Sequence, residues 1–115
     1  MTIQECYKKM GADYQEVLGR LHNEAMIGKF VRMFLQDDSF HILEDGLRRG
    51  DVKEAFRGAH TLKGVVGNLS MHSLYYETSD LVERLRAGNL EEARKRMPDV
   101  EKSYAKTLAA LQQLG

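Results

Sequence analysis

The sequence lacks the features that mark several classes of protein. It has one cysteine among 115 residues, and its 17 basic and 17 acidic residues cancel to a formal charge of zero. A single cysteine excludes an internal disulfide and a CxxC metal or redox motif. Without a clustered cationic face, nucleic-acid binding is not expected. No apolar run approaches the roughly 20 residues that span a bilayer, and no signal-peptide pattern is present, so we expect a cytoplasmic protein without membrane insertion.

Length and composition indicate one helical domain. The chain is long enough for one core and too short for two ordinary domains, so residues 1–115 are predicted to form a single domain. Hydrophobic residues make up 43% and charged residues 30%, which argues against disorder. The alternation of β-branched residues that strands need is missing, and helices are what remain.

Helix starts and stops are marked along the chain. At four predicted helix starts a small polar residue stands three positions before a glutamate, as in a capping pair: Thr2 and Glu5, Asp13 and Glu16, Asp51 and Glu54, Asn89 and Glu92. Gly11, Gly50 and Gly88 stand where such helices would stop. The sequence therefore predicts helices near 3–10, 13–21, 24–49, 52–69, 71–87 and 90–114. We expect a bend around residues 37–39, whose side chains compete for backbone hydrogen bonds, and a kink or split at Pro98.

Apolar residues recur at helical spacing in the predicted helices. The clearest stripe lies in the segment 52–69 and consists of Ala55, Ala59, Leu62, Val66 and Leu69. A second stripe, in the segment 24–49, consists of Met26, Phe30, Met33, Phe40, Leu43 and Leu47. With the stripes of the last two segments these predict an all-α fold, an antiparallel up-down four-helix bundle with an additional short N-terminal helical segment. Because the stripes satisfy one another, we expect a monomer.

The segment 57–68 looks costly for a helix. It contains Gly58, Gly64 and Gly67, and each interior glycine costs roughly 0.8–1 kcal/mol relative to alanine. At about 100° per residue, His60 lies roughly 130° from the centre of the apolar stripe, with Gly67 near the same bearing and Gly64 almost opposite the stripe. We therefore expect an exposed imidazole beside bare surface that another protein can approach closely.

Two cations lie one helical turn from His60. Lys63 follows it and Arg57 precedes it, so both can reach a charged group bound to the ring. A neutral imidazole is a capable nucleophile near neutral pH, and a cation beside it pairs with phosphate oxygens. An exposed histidine on a helix is usually only a solvated surface residue, as we expect for His22 and His41. The glycines and the lysine on the same face favour a functional role for His60.

These residues carry a resemblance to a known family. The run Ala59-His60-Thr61-Leu62-Lys63-Gly64, followed by Gly67-Asn68-Leu69, resembles the signature of histidine-containing phosphotransfer (HPt) domains, the intermediate carriers of multistep two-component phosphorelays. In that family the matching histidine is phosphorylated, the lysine stabilises the phosphoryl group and the glycine admits the receiver domain. Ser70 departs from the family pattern, where many members have glycine; we expect Ser70 to lie in the turn and to cap the next helix.

The resemblance implies a histidine phosphocarrier. His60 would accept a phosphoryl group from a receiver-domain aspartyl phosphate and pass it to another receiver domain, with Lys63 stabilising the phosphoryl group. Arg57, Gly64 and Gly67 would form the docking surface. Response-regulator receiver domains and a hybrid sensor histidine kinase are the implied partners. The chain would bind no cofactor or metal, Mg²⁺ would belong to the receiver, and the carrier would have no independent turnover.

The group that orients the imidazole stays open. A histidine nucleophile works better when its second ring nitrogen donates to a fixed acceptor. Candidates on the following helix are Tyr75, Tyr76, Glu77, Asp80 and Glu83. Phe56, near the outward side of the same helix as His60, is either a docking contact or partly buried against a neighbouring helix.

Other readings compete with the phosphocarrier. A metal-binding bundle is disfavoured, because the four histidines include no pair at helical spacing and no Glu-x-x-His. A non-catalytic helical-bundle interaction or dimerisation domain is the stronger alternative, although it does not explain the glycines around His60. A hydrolase is disfavoured because no nucleophile elbow or phosphate loop is present.

Overall fold

The computed structural model describes residues 1–114, and these form helices without any strand. Gly115, the end of the predicted domain, lies outside the described residues. The helices are α1 (Ile3–Met10), α2 (Tyr14–Leu21), α3 (Glu24–Gln36), α4 (Ser39–Arg49), α5 (Val52–Asn68), α6 (His72–Arg86) and α7 (Leu90–Leu111). The prediction of an all-helical fold is confirmed. Within residues 1–114, no helix is both long and apolar enough to cross a membrane.

The predicted caps begin four of these helices. Thr2, Asp13, Asp51 and Asn89 each accept a hydrogen bond from the backbone N–H three residues later, at 3.0–3.1 Å. Only Thr2 and Glu5 form the reciprocal box, in which the glutamate also accepts from the cap backbone. The other three glutamates bind basic side chains instead, so a nearby cation has displaced the second half of the motif.

The predicted long helix 24–49 is wrong, because the chain forms two helices there. Asp37 has an extended backbone (ψ 136°), and its carboxylate accepts from the backbone N–H of Ser39 at 2.8 Å. The competition between side chain and backbone expected at these residues thus ends α3 rather than bending it. Of the kink or split predicted at Pro98, the split is wrong, because α7 runs through this residue. Pro98 itself is exposed, so its ring does not have to fit into the core.

The break changes which face of α3 is buried. Ile27, Val31 and Phe34 are buried, whereas the predicted stripe residue Met33 is 55% exposed. As a separate helix, α3 is oriented by its own contact with α2 and need not continue the stripe of α4. The stripe predicted for α5 is confirmed, since all five of its residues are buried.

Helices that follow one another in the second part of the chain are also neighbours in space. α4 packs on α5, α5 on α6 and α6 on α7, and α1 packs against α7. α4 and α5 approach most closely at Gly58. A Cβ on Gly58 would lie 2.5 Å from the backbone N of Leu43 and 2.7 Å from the carbonyl oxygen of Ser39. Gly58 is therefore explained by helix packing and leaves its neighbour His60 on the opposite side of α5.

The first two helices hold the C-terminal end of α5. The Arg20 guanidinium of α2 donates to the carbonyl oxygens of Asn68 (2.9 Å) and Gly67 (3.3 Å) and to Ser70 Oγ (2.8 Å). The Tyr7 hydroxyl of α1 donates to the Leu69 carbonyl at 2.8 Å. These donors satisfy carbonyls that a helix end leaves without partners, and so fix the helix that carries His60.

Ser70 does not cap α6 as predicted. Its backbone is left-handed, with φ +55°, and the residue that precedes α6 is Met71, which makes no side-chain cap hydrogen bond. A left-handed residue just past a helix end is the position where glycine is favoured. The conformation at Ser70 therefore accounts for the glycine that the resembling family has there.

Candidate functional site

His60 lies on the solvent side of α5. The helix buries Ala55, Ala59, Leu62 and Val66, and the imidazole is exposed, as the helical wheel predicts. No protein hydrogen bond reaches the ring from residues 1–114. The ring is therefore open to a reactant approaching from solvent.

The surface is empty at Gly64 and occupied at Gly67. A Cβ on Gly64 would meet no atom within 4 Å, so the predicted bare surface one turn after His60 is confirmed there. A Cβ on Gly67 would lie 2.9 Å from Cε1 of Tyr75, whose ring packs against the α5 backbone. The expectation of bare surface at Gly67 is wrong, because the absent side chain makes room for a ring from α6.

Lys63 lies on the α6 side of His60 without a carboxylate partner. Its Nζ is 6.0 Å from the centroid of the Tyr75 ring, which is within the range of a cation–π contact. Among residues 1–114, no carboxylate oxygen lies within 4.0 Å of this ammonium. Its charge therefore remains available for an incoming anion.

Arg57 differs from Lys63 because it is already paired. Its guanidinium binds both carboxylate oxygens of Glu54, at 2.9 and 3.0 Å. Glu54 raises the pKa of Arg57, chiefly through these hydrogen bonds, and Arg57 in turn lowers the pKa of Glu54. A phosphoryl group would have to compete with Glu54 for Arg57, so Lys63 is the better placed cation.

The three carboxylates predicted as acceptors for the imidazole have other partners, and the two predicted tyrosines, Tyr75 and Tyr76, contact each other with ring centroids 5.7 Å apart. Glu77 accepts from Ser103 of α7. Asp80 pairs with Arg96 at 2.9 Å, and Glu83 pairs with Arg86 at 3.2 Å. These carboxylates were predicted as acceptors from the α5–α6 hairpin alone. Their actual partners come from α7 and from the end of α6, which that hairpin does not take into account.

An aromatic side chain lies beside the imidazole instead. The rings of Phe56 and His60 are stacked, with centroids 5.6 Å apart and planes 22° from parallel. Phe56 also has the guanidinium carbon of Arg86 at 5.2 Å from its ring centroid. The sequence left two roles open for Phe56, a docking contact or partial burial against a neighbouring helix. The side chain is half-buried and contacts Arg86 of α6, which agrees with the second role.

An open groove adjoins His60 on the side away from Phe56. It has a volume of about 560 Å³ and runs between α3 and α5. Its lining combines apolar residues with the polar edge of α5: Phe30, Met33, Phe34, Val65, Leu69, His60, Thr61, Gly64, Asn68 and Asp37. Met33, which was predicted to be in the core, lines this groove. The break between α3 and α4 therefore gives the histidine face an apolar border that the sequence reasoning missed.

A second cluster of titratable side chains lies at the junction of α2 and α6. Asp13, Glu16 and His72 have ligand atoms within 4.8 Å of one another. The Glu16 carboxylate binds His72 Nε2 at 2.8 Å and Arg20 at 2.9 Å, and these contacts lower the pKa of Glu16, with Arg20 the larger cause. Arg20 supplies the positive charge here, so the cluster is accounted for as an ion-pair network.

Comparison with protein families identifies the class. The family described as Hpt domain matches residues 29–114, which is most of the chain. The chain therefore belongs to the Hpt-domain family, and the resemblance seen around His60 is confirmed. Domains of this family carry out histidine phosphotransfer in phosphorelays and interact with receiver domains of two-component systems. No curated protein and no solved structure matches the chain. Helices α1 and α2 precede the matched residues.

Proposed function

We propose that His60 carries a phosphoryl group between receiver domains, taking it from the aspartyl phosphate of one and giving it to the aspartate of another. The observation that carries this proposal is an exposed imidazole with a cation lacking a carboxylate partner on one side and an empty helix face on the other. Lys63 supplies the cation and Gly64 the empty face. Membership of the Hpt-domain family supports this chemistry.

The transfer is a nucleophilic displacement at phosphorus. The Nε2 lone pair of neutral His60 attacks in line, the N–P bond forms and the bond from phosphorus to the aspartyl oxygen breaks, which returns a carboxylate to the receiver. The reverse sequence delivers the phosphoryl group to the second receiver. Lys63 pairs with the phosphoryl oxygens and so stabilises the phosphohistidine between the two steps.

The docking surface is centred on Gly64. The partner backbone approaches where no Cβ projects, and apolar partner side chains enter the adjoining groove beside Met33 and Phe30. Arg57 lies at the edge of this surface and contributes only after it leaves Glu54. Gly67 acts indirectly, because Tyr75 covers it and thereby borders Lys63.

The remaining features of the proposal follow from the small number of groups around His60. The chain contributes the nucleophile and one cation, and Mg²⁺ is held by the receiver partner, so the carrier alone has no turnover and needs no cofactor. Response-regulator receiver domains and a hybrid sensor histidine kinase are the proposed partners, in the cytoplasm. Residues 1–115 are proposed to form one monomeric domain, with α4–α7 as an antiparallel up-down four-helix bundle.

A label-transfer assay tests the proposal. The chain is incubated with a receiver domain phosphorylated with ³²P, and acid-labile, base-stable label is followed on the chain. We expect His60→Gln to abolish the label and His41→Gln, an exposed histidine on α4, to retain it. Lys63→Gln should shorten the lifetime of the phosphohistidine by roughly threefold to tenfold, since it removes a partly solvated charge pair. Equal labelling of wild type and His60→Gln would refute the carrier and favour a bundle that only binds partners.

A further inference from the structure

We propose that Phe56, braced by Arg86, is a positioning residue that fixes the plane of the His60 imidazole. The inference rests on the proposed function, since it assigns the element that orients the nucleophile. It goes beyond the family match because the contact depends on an aromatic ring one turn before the histidine and on a cation from another helix.

The two rings form an offset parallel pair. Phe56 and His60 are one turn apart on α5, so their side chains lie above one another on the same face. The centroid separation of 5.6 Å and the interplanar angle of 22° fall within the favourable range for stacked aromatic rings. The Phe56 ring therefore limits the planes and rotamers that the imidazole can adopt on that side.

Phe56 is itself held from α6. The ring is half-buried, and the Arg86 guanidinium carbon is 5.2 Å from its centroid. Arg86 is anchored in turn by Glu83, whose carboxylate is 3.2 Å from Nε. The contact of Arg86 with Phe56 and that of Phe56 with His60 together link the end of α6 to the proposed nucleophile.

The stack matters because no hydrogen bond holds the imidazole. Within residues 1–114, no side chain or carbonyl oxygen forms a hydrogen bond with the ring, and on the opposite side Gly64 offers nothing to contact. A ring without Phe56 would sample several staggered wells, of which one presents Nε2 for in-line attack. Loss of the stack should therefore lower the rate of transfer by about two- to tenfold.

The test compares Phe56→Leu, which keeps apolar bulk, with Phe56→Tyr, which keeps the ring. Tyr76→Leu is the matched control, because Tyr76 is an exposed aromatic on α6 that stacks on His72 rather than His60. The first readout is the proton NMR shift of the His60 ring in the unphosphorylated chain. We expect the ring-current shift of these protons to be lost in Phe56→Leu and kept in Phe56→Tyr and in Tyr76→Leu.

The second readout is the rate of phosphoryl transfer at varied receiver concentration. Phe56→Leu should lower the maximal rate while leaving the half-saturating concentration within about twofold, because the docking surface is unchanged; Phe56→Tyr should restore the maximal rate. Arg86→Met, which leaves Phe56 in place, should lower the maximal rate less than Phe56→Leu does. Arg48→Met, the removal of an exposed arginine on α4, should have no effect.

Three outcomes would overturn the inference. They are an unchanged ring shift in Phe56→Leu, an unchanged maximal rate in that variant, or a Phe56→Tyr variant as slow as Phe56→Leu. Failure of the proposed function is distinguishable, since it would appear as no label on His60 in the wild type while the NMR shifts still report the stack. A folding defect would appear in the urea unfolding midpoint of Phe56→Leu and would also raise the half-saturating concentration.

Discussion

Two glycines of α5 should respond in opposite directions to the same substitution. Gly64 and Gly58 share one helix, so replacing either with alanine removes the same helix penalty of about 0.8–1 kcal/mol. A Cβ on Gly64 meets no atom within 4 Å, so Gly64→Ala should stabilise the chain by nearly that full amount. For a domain of this size, the melting temperature should rise by about 3–5 °C.

Gly58→Ala should destabilise the chain. The new Cβ would lie 2.5 Å from the Leu43 N and 2.7 Å from the Ser39 O, which are backbone atoms that cannot move without shifting α4. Overpacking typically costs about 1–3 kcal/mol, and backbone contacts favour the upper end. After the helix gain is subtracted, we expect a net loss of about 2 kcal/mol in the free energy of unfolding.

Gly64 should also separate stability from transfer. Gly64→Gln should stabilise the helix yet slow transfer from a phosphorylated receiver, because immobilising one long side chain at an interface costs about 0.5–1.5 kcal/mol, or about two- to tenfold in rate. Urea unfolding and single-turnover transfer measure the two effects. Transfer by Gly64→Gln at the wild-type rate, or a stabilised Gly58→Ala, would refute the reasoning that assigns one glycine to docking and the other to packing.

Two further predictions concern the helices that hold the end of α5. Tyr7→Phe should cost about 1–2 kcal/mol at pH 7, because the buried Leu69 carbonyl loses its donor. Burial raises the pKa of Tyr7 in the folded state, so the stability that this hydroxyl contributes is present below pH 10 and is lost as the pH rises further. Urea unfolding should therefore show a smaller difference in the free energy of unfolding between wild type and Tyr7→Phe at pH 10.5 than at pH 7. Arg20→Met should lower the free energy of unfolding by about 1 kcal/mol. It should also speed amide hydrogen exchange at the C-terminal end of α5 and leave exchange in α4 unchanged. Equal acceleration in both helices would contradict the local capping role of Arg20.

The sequence was sufficient where local rules govern the structure. Thr2, Asp13, Asp51 and Asn89 begin helices as predicted, because a cap needs only the backbone three residues on. The stripe of α5 is buried as predicted, and the exposure of His60 follows from the same helical period.

The sequence was insufficient where a second helix decides the outcome. Positions 58 and 67 have no room for a side chain because atoms of other helices approach the backbone there. These atoms are the α4 backbone at Gly58 and the Tyr75 ring at Gly67. Nothing in the α5 segment distinguishes these glycines from Gly64. The contact of Phe56 with Arg86 also depends on a second helix. The helical wheel of α5 places Phe56 near His60 but does not show which α6 residue contacts it.

The central claim is that the imidazole of His60 receives the phosphoryl group. The most direct measurement is mass-spectrometric mapping of the phosphorylated chain after brief incubation with a phosphorylated receiver domain, at neutral pH and without acid steps. The account predicts one phosphoryl group per chain, at His60. A phosphoryl group found on His22, His41 or His72, or an unmodified chain after incubation with a receiver domain that stays phosphorylated, would contradict the account.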